Sequence, residues 1–383
     1  MSAMQKPVSA AALRAPEYVR AIAPYVGGKP IEEVARELNL DPATIIKLAS
    51  NENPRGPSPK VLAAIAVAAA DVTRYPDGNG FALKAALSSR LGVRPEQIVL
   101  GNGSNDVLEL VTQAFLTPGD HAVYSQYAFI VYPLATQARG ALGIEVPAKD
   151  HGHDLDAMRE AITPRTRLVF IANPNNPTGT WLAGDAVESF IARVPRDVII
   201  VLDEAYNEFL DPSDQVASTA WISRYPNLIV THTFSKAHGL AALRVGYGVM
   251  DGSVADLLNR VRQPFNVNSL AQAAALAALD DVQYVEDSRR LNRNCMRQLE
   301  TGLQALSARS LPSHGNFLLV EVEDAPAIYQ SMLRQGVIVR PVANYGLPAW
   351  LRVTVGTPTE NERFLAAFAT ARDSHATGDA RAH

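Results

Sequence analysis

This sequence has almost no cysteine and only a small excess of charge of one sign. The 383-residue chain has one cysteine, Cys295, which excludes an internal disulfide and a thiolate metal cluster. Its net charge is −4, which argues against a nucleic acid or an anionic membrane as partner. No apolar run reaches membrane-spanning length, and residues 1–20 lack the apolar core of a secretion signal. We therefore expect a soluble, cytoplasmic protein.

Alternating short apolar runs and helical stretches are the main pattern that is present. The runs are rich in β-branched residues, and such continuous apolar strands are typical of a parallel sheet buried on both faces. We therefore predict an α/β fold, with a mostly parallel central sheet and helices on both faces. The predicted strands are Gln97–Leu100, Ala122–Tyr124, Leu168–Ile171, Val198–Leu202, Leu228–Thr231 and Val245–Met250.

The pattern changes after about residue 275. A long helical stretch to about Ala308 precedes three short predicted strands, which indicates a smaller α+β domain. We expect residues 50–275 to form a large domain, residues 276–383 a small one, and residues 1–49 an N-terminal segment that joins the small domain. The predicted short strands are Phe317–Glu321, Val337–Arg340 and Leu351–Val355.

A glycine-rich motif, G-N-G-S-N-D at 101–106, lies between a predicted strand and a predicted helix. Glycine allows the backbone close to a ligand, and the free amides of a helix N-terminus favour an anion. Ser104 and Asn105 are thus candidates for binding a phosphate. An ordinary capped turn is the alternative for this motif taken alone.

A second motif, N-P-N-N-P-T-G at 173–179, follows the strand Leu168–Ile171. Its prolines and glycine restrict the backbone, and asparagine amides can donate hydrogen bonds into a site. A sharp turn without function is the alternative, but a string of this length is specific. Asn176 is the candidate donor.

A third motif, D-E-A-Y at 203–206, comes directly after the strand Val198–Leu202. A carboxylate at the end of a buried strand is costly unless it is paired. A protonated ring nitrogen would be a suitable partner for Asp203. A salt bridge to arginine or lysine is the alternative.

A fourth motif, T-H-T-F-S-K-A-H-G-L at 231–240, places Lys236 between two buried strands. Burial or neighbouring cations lower the pKa of a lysine, and the free amine then forms a Schiff base. Thr233, Ser235 and Arg244 supply two hydroxyls and a guanidinium, which suit a dianionic phosphate. The combination of an anion site, a donor amide, a carboxylate and an amine matches pyridoxal phosphate.

These motifs resemble those of fold-type I aminotransferases that use pyridoxal phosphate. Further strings resemble the histidinol-phosphate aminotransferase family, and the resemblance spans about residues 25–357. The strings are K-L-A-S-N-E-N-P at 47–54, Y-P-D at 75–77, P-F-N-V-N at 264–268 and L-R-V-T-V-G-T at 351–357.

The resemblance implies roles for individual residues at the cofactor. Lys236 would carry the cofactor and move a proton, Asp203 would keep the ring nitrogen protonated, and Tyr127 would stack on the ring. Asn176 and Tyr206 would bind the phenolic oxygen. The phosphate would be held by Ser104, Asn105, Thr233, Ser235 and Arg244, with Tyr75 from a partner subunit of a homodimer.

The resemblance also implies a substrate and a reaction. L-histidinol phosphate would pass its amine to 2-oxoglutarate, giving imidazole acetol phosphate and L-glutamate in histidine biosynthesis. Tyr25, Asn53, Arg340 and Arg352 would hold the anionic end of the substrate. An aromatic amino acid aminotransferase and a threonine-phosphate decarboxylase carry the same motifs and remain alternatives.

Other classes fit the sequence less well. A cofactor-binding regulator would need a basic helix-turn-helix before the motifs, and a purely structural α/β protein would carry all the motifs by chance. His151 and His153 have a spacing seen in metal sites, but no carboxylate–histidine motif supports a metal. His238 departs from the family pattern, and we expect it to be structural.

Overall fold

The computed structural model describes residues 9–25 and 27–379, so that residues 1–8 and 26 of the predicted N-terminal segment lie outside the described part. The strands are β1 (Ile46–Lys47), β2 (Ile98–Gly101), β3 (His121–Ser125), β4 (Leu142–Val146), β5 (Thr166–Ala172), β6 (Ile199–Asp203), β7 (Leu228–Thr233), β8 (Gly246–Val249), β9 (Phe317–Glu321), β10 (Val337–Ile338), β11 (Arg340–Pro341) and β12 (Trp350–Thr354).

Thirteen α-helices cover these strands in the described residues. They are α1 (Glu17–Arg20), α2 (Ile31–Leu38), α3 (Pro59–Ala68), α4 (Phe81–Leu91), α5 (Ser104–Phe115), α6 (Val131–Gln137), α7 (Leu155–Glu160), α8 (Gly184–Arg193), α9 (Gly252–Val261), α10 (Ser269–Leu279), α11 (Val282–Ala305), α12 (Ala325–Arg334) and α13 (Pro358–Asp379). None of the helices in the described residues is long and apolar enough to span a bilayer.

Side-chain caps set the start of several helices. The hydroxyl of Ser58 accepts a hydrogen bond from the amide of Val61, and Pro59 occupies the first turn of α3, where no amide partner is needed. The side chain of Asn268 caps α10 in the same way, by accepting from the amide of Ala271. These caps fix the ends of two helices that pack against each other.

The central sheet has seven strands in the order β2-β8-β7-β6-β5-β3-β4. Strands β7, β6, β5, β3 and β4 run parallel, whereas β8 is antiparallel to both of its neighbours. The prediction of a mostly parallel sheet is confirmed. Strand β4 was absent from the prediction because its side chains are largely exposed or half-buried rather than continuously apolar.

Both faces of this sheet are buried. Along β5, Val169 and Ile171 pack into one apolar cluster while Leu168 and Phe170 pack into another on the opposite face. Such alternation is the geometric result of side chains pointing to opposite sides of a strand. The sheet is therefore a rigid platform whose strand ends have fixed positions.

A smaller set of strands follows in the C-terminal part. A three-stranded sheet has the order β11-β12-β9, and β10 pairs in parallel with β1 from the N-terminal part. The long predicted helix is in fact two, α10 and α11, which are separated at Asp280 and Asp281. The pairing of β1 with β10 carries residues 48–53 from the C-terminal strands to the edge of the central sheet, where they meet the site.

Candidate active site

The carboxyl ends of β5, β6 and β7 meet at one edge of the central sheet. Because the three strands are parallel and adjacent, the loops that follow them bring Asn176, Tyr206 and Lys236 to the same cavity. The cavity has a volume of about 280 Å³. It is lined by Ser50, Glu52, Ser104, Asn105, Phe129, Ala172, Pro174, Asn176, Asp203, Ala205, Tyr206, Thr233, Ser235, Lys236, Ala241 and Arg244.

Lys236 places its amine in this cavity. Nζ donates a hydrogen bond to the carbonyl oxygen of Ser50 at 3.1 Å. Burial, reinforced by the positive charge of Arg352, lowers the pKa of Lys236 to about 7. The neutral form of the amine is therefore accessible near pH 7, and it can act as a nucleophile or a base.

Asp203 is buried at the end of β6 and held from two sides. Oδ1 accepts from the hydroxyl of Thr231 at 3.0 Å, and Oδ2 accepts from the hydroxyl of Tyr132 at 2.9 Å. Burial raises the pKa of Asp203 above its ordinary value, and these hydrogen bonds oppose that effect. A cation in the cavity would stabilise the anionic carboxylate.

The contact of Tyr132 with Asp203 was missed by sequence reasoning. The ring of Tyr132 is fully buried and stacks on Phe170 with centroids 4.6 Å apart. Its hydroxyl nevertheless reaches the carboxylate. The only signal in the sequence was a tyrosine in an apolar helical stretch. A tyrosine hydroxyl that becomes buried there needs a hydrogen-bond partner.

The start of α5 and the loop after β7 form an anion site. Gly103 has a φ of 82° and precedes the first turn of α5, while Ser104, Asn105, Thr233, Ser235 and Arg244 line the cavity. A Cβ at Gly103 would lie 2.5 Å from Nη2 of Arg244, so that only glycine allows the guanidinium this close to the helix start. Helix amides, hydroxyls and a guanidinium together suit a phosphate.

Asn176 and Tyr206 are oriented by neighbouring side chains. Nη1 of Arg352 donates to Oδ1 of Asn176 at 2.5 Å, which leaves the amide nitrogen of Asn176 as the donor for a ligand. Nδ2 of Asn51 donates to the hydroxyl of Tyr206 at 2.9 Å. Burial raises the pKa of Tyr206 to about 12, so this hydroxyl keeps its proton and can donate it to a ligand oxygen.

Known proteins match the chain along most of its length. The family model "Aminotransferase class I and II" matches residues 43–368. The chain belongs to this aminotransferase family. It is 60% identical to histidinol-phosphate aminotransferase 2 of Pseudomonas fluorescens, over 92% of this chain and 95% of that protein. It is 59% identical to the protein of the same name from Pseudomonas aeruginosa, over 91% of this chain and 95% of that protein.

Solved structures agree with this assignment. The structure of histidinol-phosphate aminotransferase from Sinorhizobium meliloti in complex with pyridoxal-5'-phosphate has a TM-score of 0.87 and 29% sequence identity to this chain. The match covers 94% of this chain and 98% of that chain. An aspartate aminotransferase of Thermus thermophilus, at 24% identity, has a TM-score of 0.80 and shares the fold. The prediction of fold type I is thereby confirmed.

Of the predicted site residues, Tyr127 and Asn53 do not line the main cavity, and neither do Tyr25, Tyr75, Arg340 and Arg352. Tyr127 has a φ of 59° and stacks on His151 with centroids 5.9 Å apart, and Phe129 is the aromatic residue that lines the cavity. Asn53 donates to the carbonyl oxygen of Ala237 at 2.9 Å and so ties two loops together. Phe129 is thus a further candidate for ring stacking beside Tyr127.

Three other residues of segment 50–53, beside the predicted Asn53, contribute to the site. The carbonyl of Ser50 and the side chain of Glu52 line the cavity, and Asn51 contacts Tyr206. Asn51 adopts a left-handed conformation with a φ of 55°, which asparagine tolerates better than most residues. The turn at Asn51 therefore directs alternate side chains of this segment to the site.

Arg340 and Arg352 lie directly opposite each other on the antiparallel pair of β11 and β12. Both are only 7% exposed, and residues opposite on such a pair share one face of the sheet. The guanidinium of Arg340 lies over the ring of Tyr25, with its Cζ 5.5 Å from the ring centroid. The two guanidiniums thus add positive charge on one face of this sheet, which favours an anionic ligand.

Tyr25 connects Arg340 to the main cavity. Tyr25 and Arg340 line a neighbouring cavity, and Tyr25 also lines a third that shares Asn105 and Phe129 with the main one. The three cavities therefore form a continuous row. Arg340 lines the first cavity of the row, Tyr25 lines the first and the second, and Lys236 lines the last, which is the main cavity. The predicted substrate residues Tyr25 and Arg340 lie at the outer end of this path.

His238 and Tyr75 lie apart from the cavity. His238 is buried, its ring packs against Phe234 at 4.9 Å, and burial lowers its pKa to about 4. It is therefore neutral near pH 7, as expected of a structural histidine. Tyr75 is 83% exposed and stacks on Phe265 with centroids 4.7 Å apart.

Proposed function

We propose that this aminotransferase uses pyridoxal phosphate to transfer the amine of L-histidinol phosphate to 2-oxoglutarate. The products are imidazole acetol phosphate and L-glutamate, in histidine biosynthesis. The observation that carries the proposal is one cavity in which a neutral lysine amine, a buried carboxylate and a helix-start anion site converge. The names of relatives at about 60% identity support the choice of substrate.

The residues of the cavity fit the cofactor. Asp203 is a buried carboxylate that a protonated pyridine nitrogen would complement, and Arg244 with the start of α5 would hold the phosphate. Phe129 would lie against the ring, while Asn176 and Tyr206 would donate to its phenolic oxygen. When bound, pyridoxal phosphate withdraws electrons from the substrate α-carbon through its ring.

Lys236 then performs the proton transfer. Its Nζ would accept the proton from the substrate α-carbon and hold it for return to the substrate–cofactor pair. A base works best when its pKa lies near the working pH, and the pKa of Lys236 is about 7. The carbonyl of Ser50, which accepts a hydrogen bond from Nζ, holds the amine in place between these steps.

The two arginines explain how one site can bind two different anionic substrates in turn. Histidinol phosphate carries a phosphate and 2-oxoglutarate carries two carboxylates, and both are bound in turn at the same cavity. Arg340 and Arg352 present two buried guanidiniums at one place, and planar guanidinium forks bind either kind of anion. A tight and exclusive phosphate pocket would not accept both partners.

A panel of amino donors tests the substrate. We expect kcat/KM with 2-oxoglutarate to be highest for histidinol phosphate, and about 10²-fold lower for histidinol, because loss of charged hydrogen bonds usually costs this much. Histidinol is the matched control, since it differs only in the phosphate. A preference for phenylalanine or tyrosine, or release of carbon dioxide from threonine phosphate, would contradict the proposal.

We propose further that the enzyme is a cytoplasmic homodimer in which Tyr75 reaches the partner's phosphate site. Tyr75 and Phe265 form an exposed aromatic pair, and four large apolar residues between positions 62 and 81 of the sequence are also exposed, which supports an interaction surface. These residues are Leu62, Val67, Val72 and Phe81.

Mixing of variant subunits tests the shared site. Tyr75→Ala should bind pyridoxal phosphate about 10-fold more weakly through loss of one hydrogen bond to a charged group. A hybrid dimer pairs one Tyr75→Ala subunit with one Lys236→Ala subunit. If Tyr75 serves the partner's site, one of the two sites in this hybrid has both native residues. Activity at limiting cofactor should therefore rise when the two variants are refolded together. Activity that merely adds up, without a gain on mixing, would show that Tyr75 serves its own subunit.

A further inference from the structure

A buried charged cluster lies behind the strand that leads to Lys236. His232 is 7% exposed, and its Nε2 lies 3.2 Å from Oε2 of Glu204. Its Nδ1 lies 3.9 Å from Oε1 of Glu208. The hydroxyl of Ser218 donates to Glu204 Oε2 at 2.8 Å. The buried carboxylate of Glu204 and the half-buried carboxylate of Glu208 thus flank a single imidazole.

The cluster is on the reverse side of the residues that form the cavity. Side chains alternate along β7, so Thr231, which donates to Asp203, and Thr233, which lines the cavity, point opposite to His232. Glu204 alternates in the same way with Asp203. His232 and Glu204 are therefore each adjacent in sequence to a residue of the site.

Other titratable groups face His232 from every element packed against it. On the β6 side these are Asp203, Glu204 and Glu208. Tyr247 of β8 stacks on the imidazole with centroids 5.3 Å apart, and burial raises its pKa, so it is neutral. His238 has a pKa of about 4 and is neutral too, while Arg90 of α4 adds a more distant positive charge near Glu208.

We propose that His232 is a cationic positioning residue that fixes the segment from Asp203 to Glu208 by binding Glu204 and Glu208 together. This segment ends β6 and continues into a 3-10 helix at Asn207–Phe209. Tyr206 lies midway between the two glutamates and presents its hydroxyl to the cavity. The imidazolium binds Glu204 at 3.2 Å and attracts Glu208 by charge across 3.9 Å, so Asp203 and Tyr206, which lie on the same turn, keep their places.

Removal of the proton from His232 leaves the two carboxylates without this counter-charge. Glu204 and Glu208 would then repel each other across a buried site, and an uncompensated buried charge is costly. The segment relieves that repulsion by moving or by taking up a proton. In either event the geometry of Asp203 and Tyr206 changes, although neither residue is altered.

The direction of the pH effect follows from the pKa of His232. Burial alone lowers this pKa, but the hydrogen bond and charge of Glu204, with the charge of Glu208, raise it above 6.5. Folding therefore tightens proton binding, and the resulting stability is fully present below 6.5. It is lost as the pH rises through the higher pKa of the folded protein.

Nitrogen-15 NMR of histidine-labelled holoenzyme tests the charge directly. The expected result is a His232 resonance, assigned by its loss in His232→Gln, that titrates above 6.5 in the folded protein. A His232 that titrates below 6.5, and is thus neutral at pH 7, would overturn the inference. The titration itself is measured on the parent protein, and the variant serves only to assign the resonance.

Variants separate positioning from simple packing. His232→Gln keeps a hydrogen-bond donor but no charge, and His232→Arg keeps a permanent charge. As the pH is raised from 6 to 9, we expect the unfolding midpoint of the parent to decrease relative to that of His232→Arg. The kcat of the parent should decrease over the same rise in pH. His121→Gln, which alters a histidine bonded to Thr163 near the surface, is the control and should follow the parent.

The two proposals fail in different ways. The inference rests on the proposed function only because Asp203 and Tyr206 serve the cofactor. NMR titration and unfolding midpoints remain measurable when the amino donor is a different one. Identical pH profiles of stability for the parent, His232→Gln and His232→Arg would refute the positioning role, even in a fully active aminotransferase.

Discussion

Replacement of Lys236 by alanine should reduce turnover by at least about 10⁴-fold, the upper range for loss of a positioned acid–base group. The variant loses the amine that bonds to the cofactor and the base that moves the proton. Single-turnover and steady-state assays with histidinol phosphate and 2-oxoglutarate measure the effect. Borohydride reduction of the parent should fix the cofactor to a peptide that contains Lys236.

Lys60→Ala is a matched control for this change. Lys60 lies on α3, with its side chain 61% exposed in a salt bridge to Asp281, and surface pairs of this kind contribute little to stability. Its activity and unfolding midpoint should remain near those of the parent. Multiple turnovers by Lys236→Ala, or attachment of the cofactor to a different lysine, would refute the assignment of the amine.

Replacement of Asp203 by asparagine should slow removal of the α-proton by about 10²–10³-fold, the cost that is typical of losing one preorganised electrostatic group. Asparagine has the same shape but no negative charge, so it cannot keep the ring nitrogen of the cofactor protonated. The rate of α-proton removal is measured with α-deuterated donor, and the isotope effect should increase in the variant.

Tyr132→Phe provides the comparison for Asp203→Asn. The phenylalanine keeps the stacking on Phe170 and removes only the hydroxyl that donates to Asp203. Loss of one such hydrogen bond should have a smaller effect, about 10-fold. An isotope effect and rate in Asp203→Asn that match the parent would mean that this carboxylate does not support the ring nitrogen.

Much of the site could be predicted because it lies at strand ends. Continuous apolar runs identify β5, β6 and β7, and the carboxyl ends of parallel neighbours must meet at one edge. The motifs that follow these strands therefore predicted the convergence of Asn176, Asp203 and Lys236 from sequence alone. The structure places all three in the same cavity.

Residues in left-handed turns were harder to place. The positive φ of Tyr127 reverses the course of the chain, so that Phe129, two residues later, lines the cavity. The positive φ of Asn51 has a similar effect on segment 50–53, where Asn53 points away from the cavity. Periodicity assumes a regular backbone, and a single left-handed residue shifts every side-chain direction after it.

Contacts across long sequence separations were also out of reach. Sequence motifs indicate neither that Tyr132 bonds to Asp203 nor that Arg352 bonds to Asn176, since each pair depends on packing between separate elements. Strand β4 was missed because its exposed residues lack a continuous apolar run. Only the assembled core determines such features.

The placement of residues 46–51 has a consequence for how the protein is made. The amide of Asn51 donates to the hydroxyl of Thr354 at 2.9 Å, and the amide of Leu48 donates to the carbonyl of Ile338 at 2.7 Å. Ser50, which accepts from the amine of Lys236, lies between these two anchors. During synthesis the seven-stranded sheet is complete about 90 residues before β10 to β12 leave the ribosome. A nascent chain therefore contains Lys236 and Asp203 well before the segment around Ser50 has the partners that anchor it beside the amine.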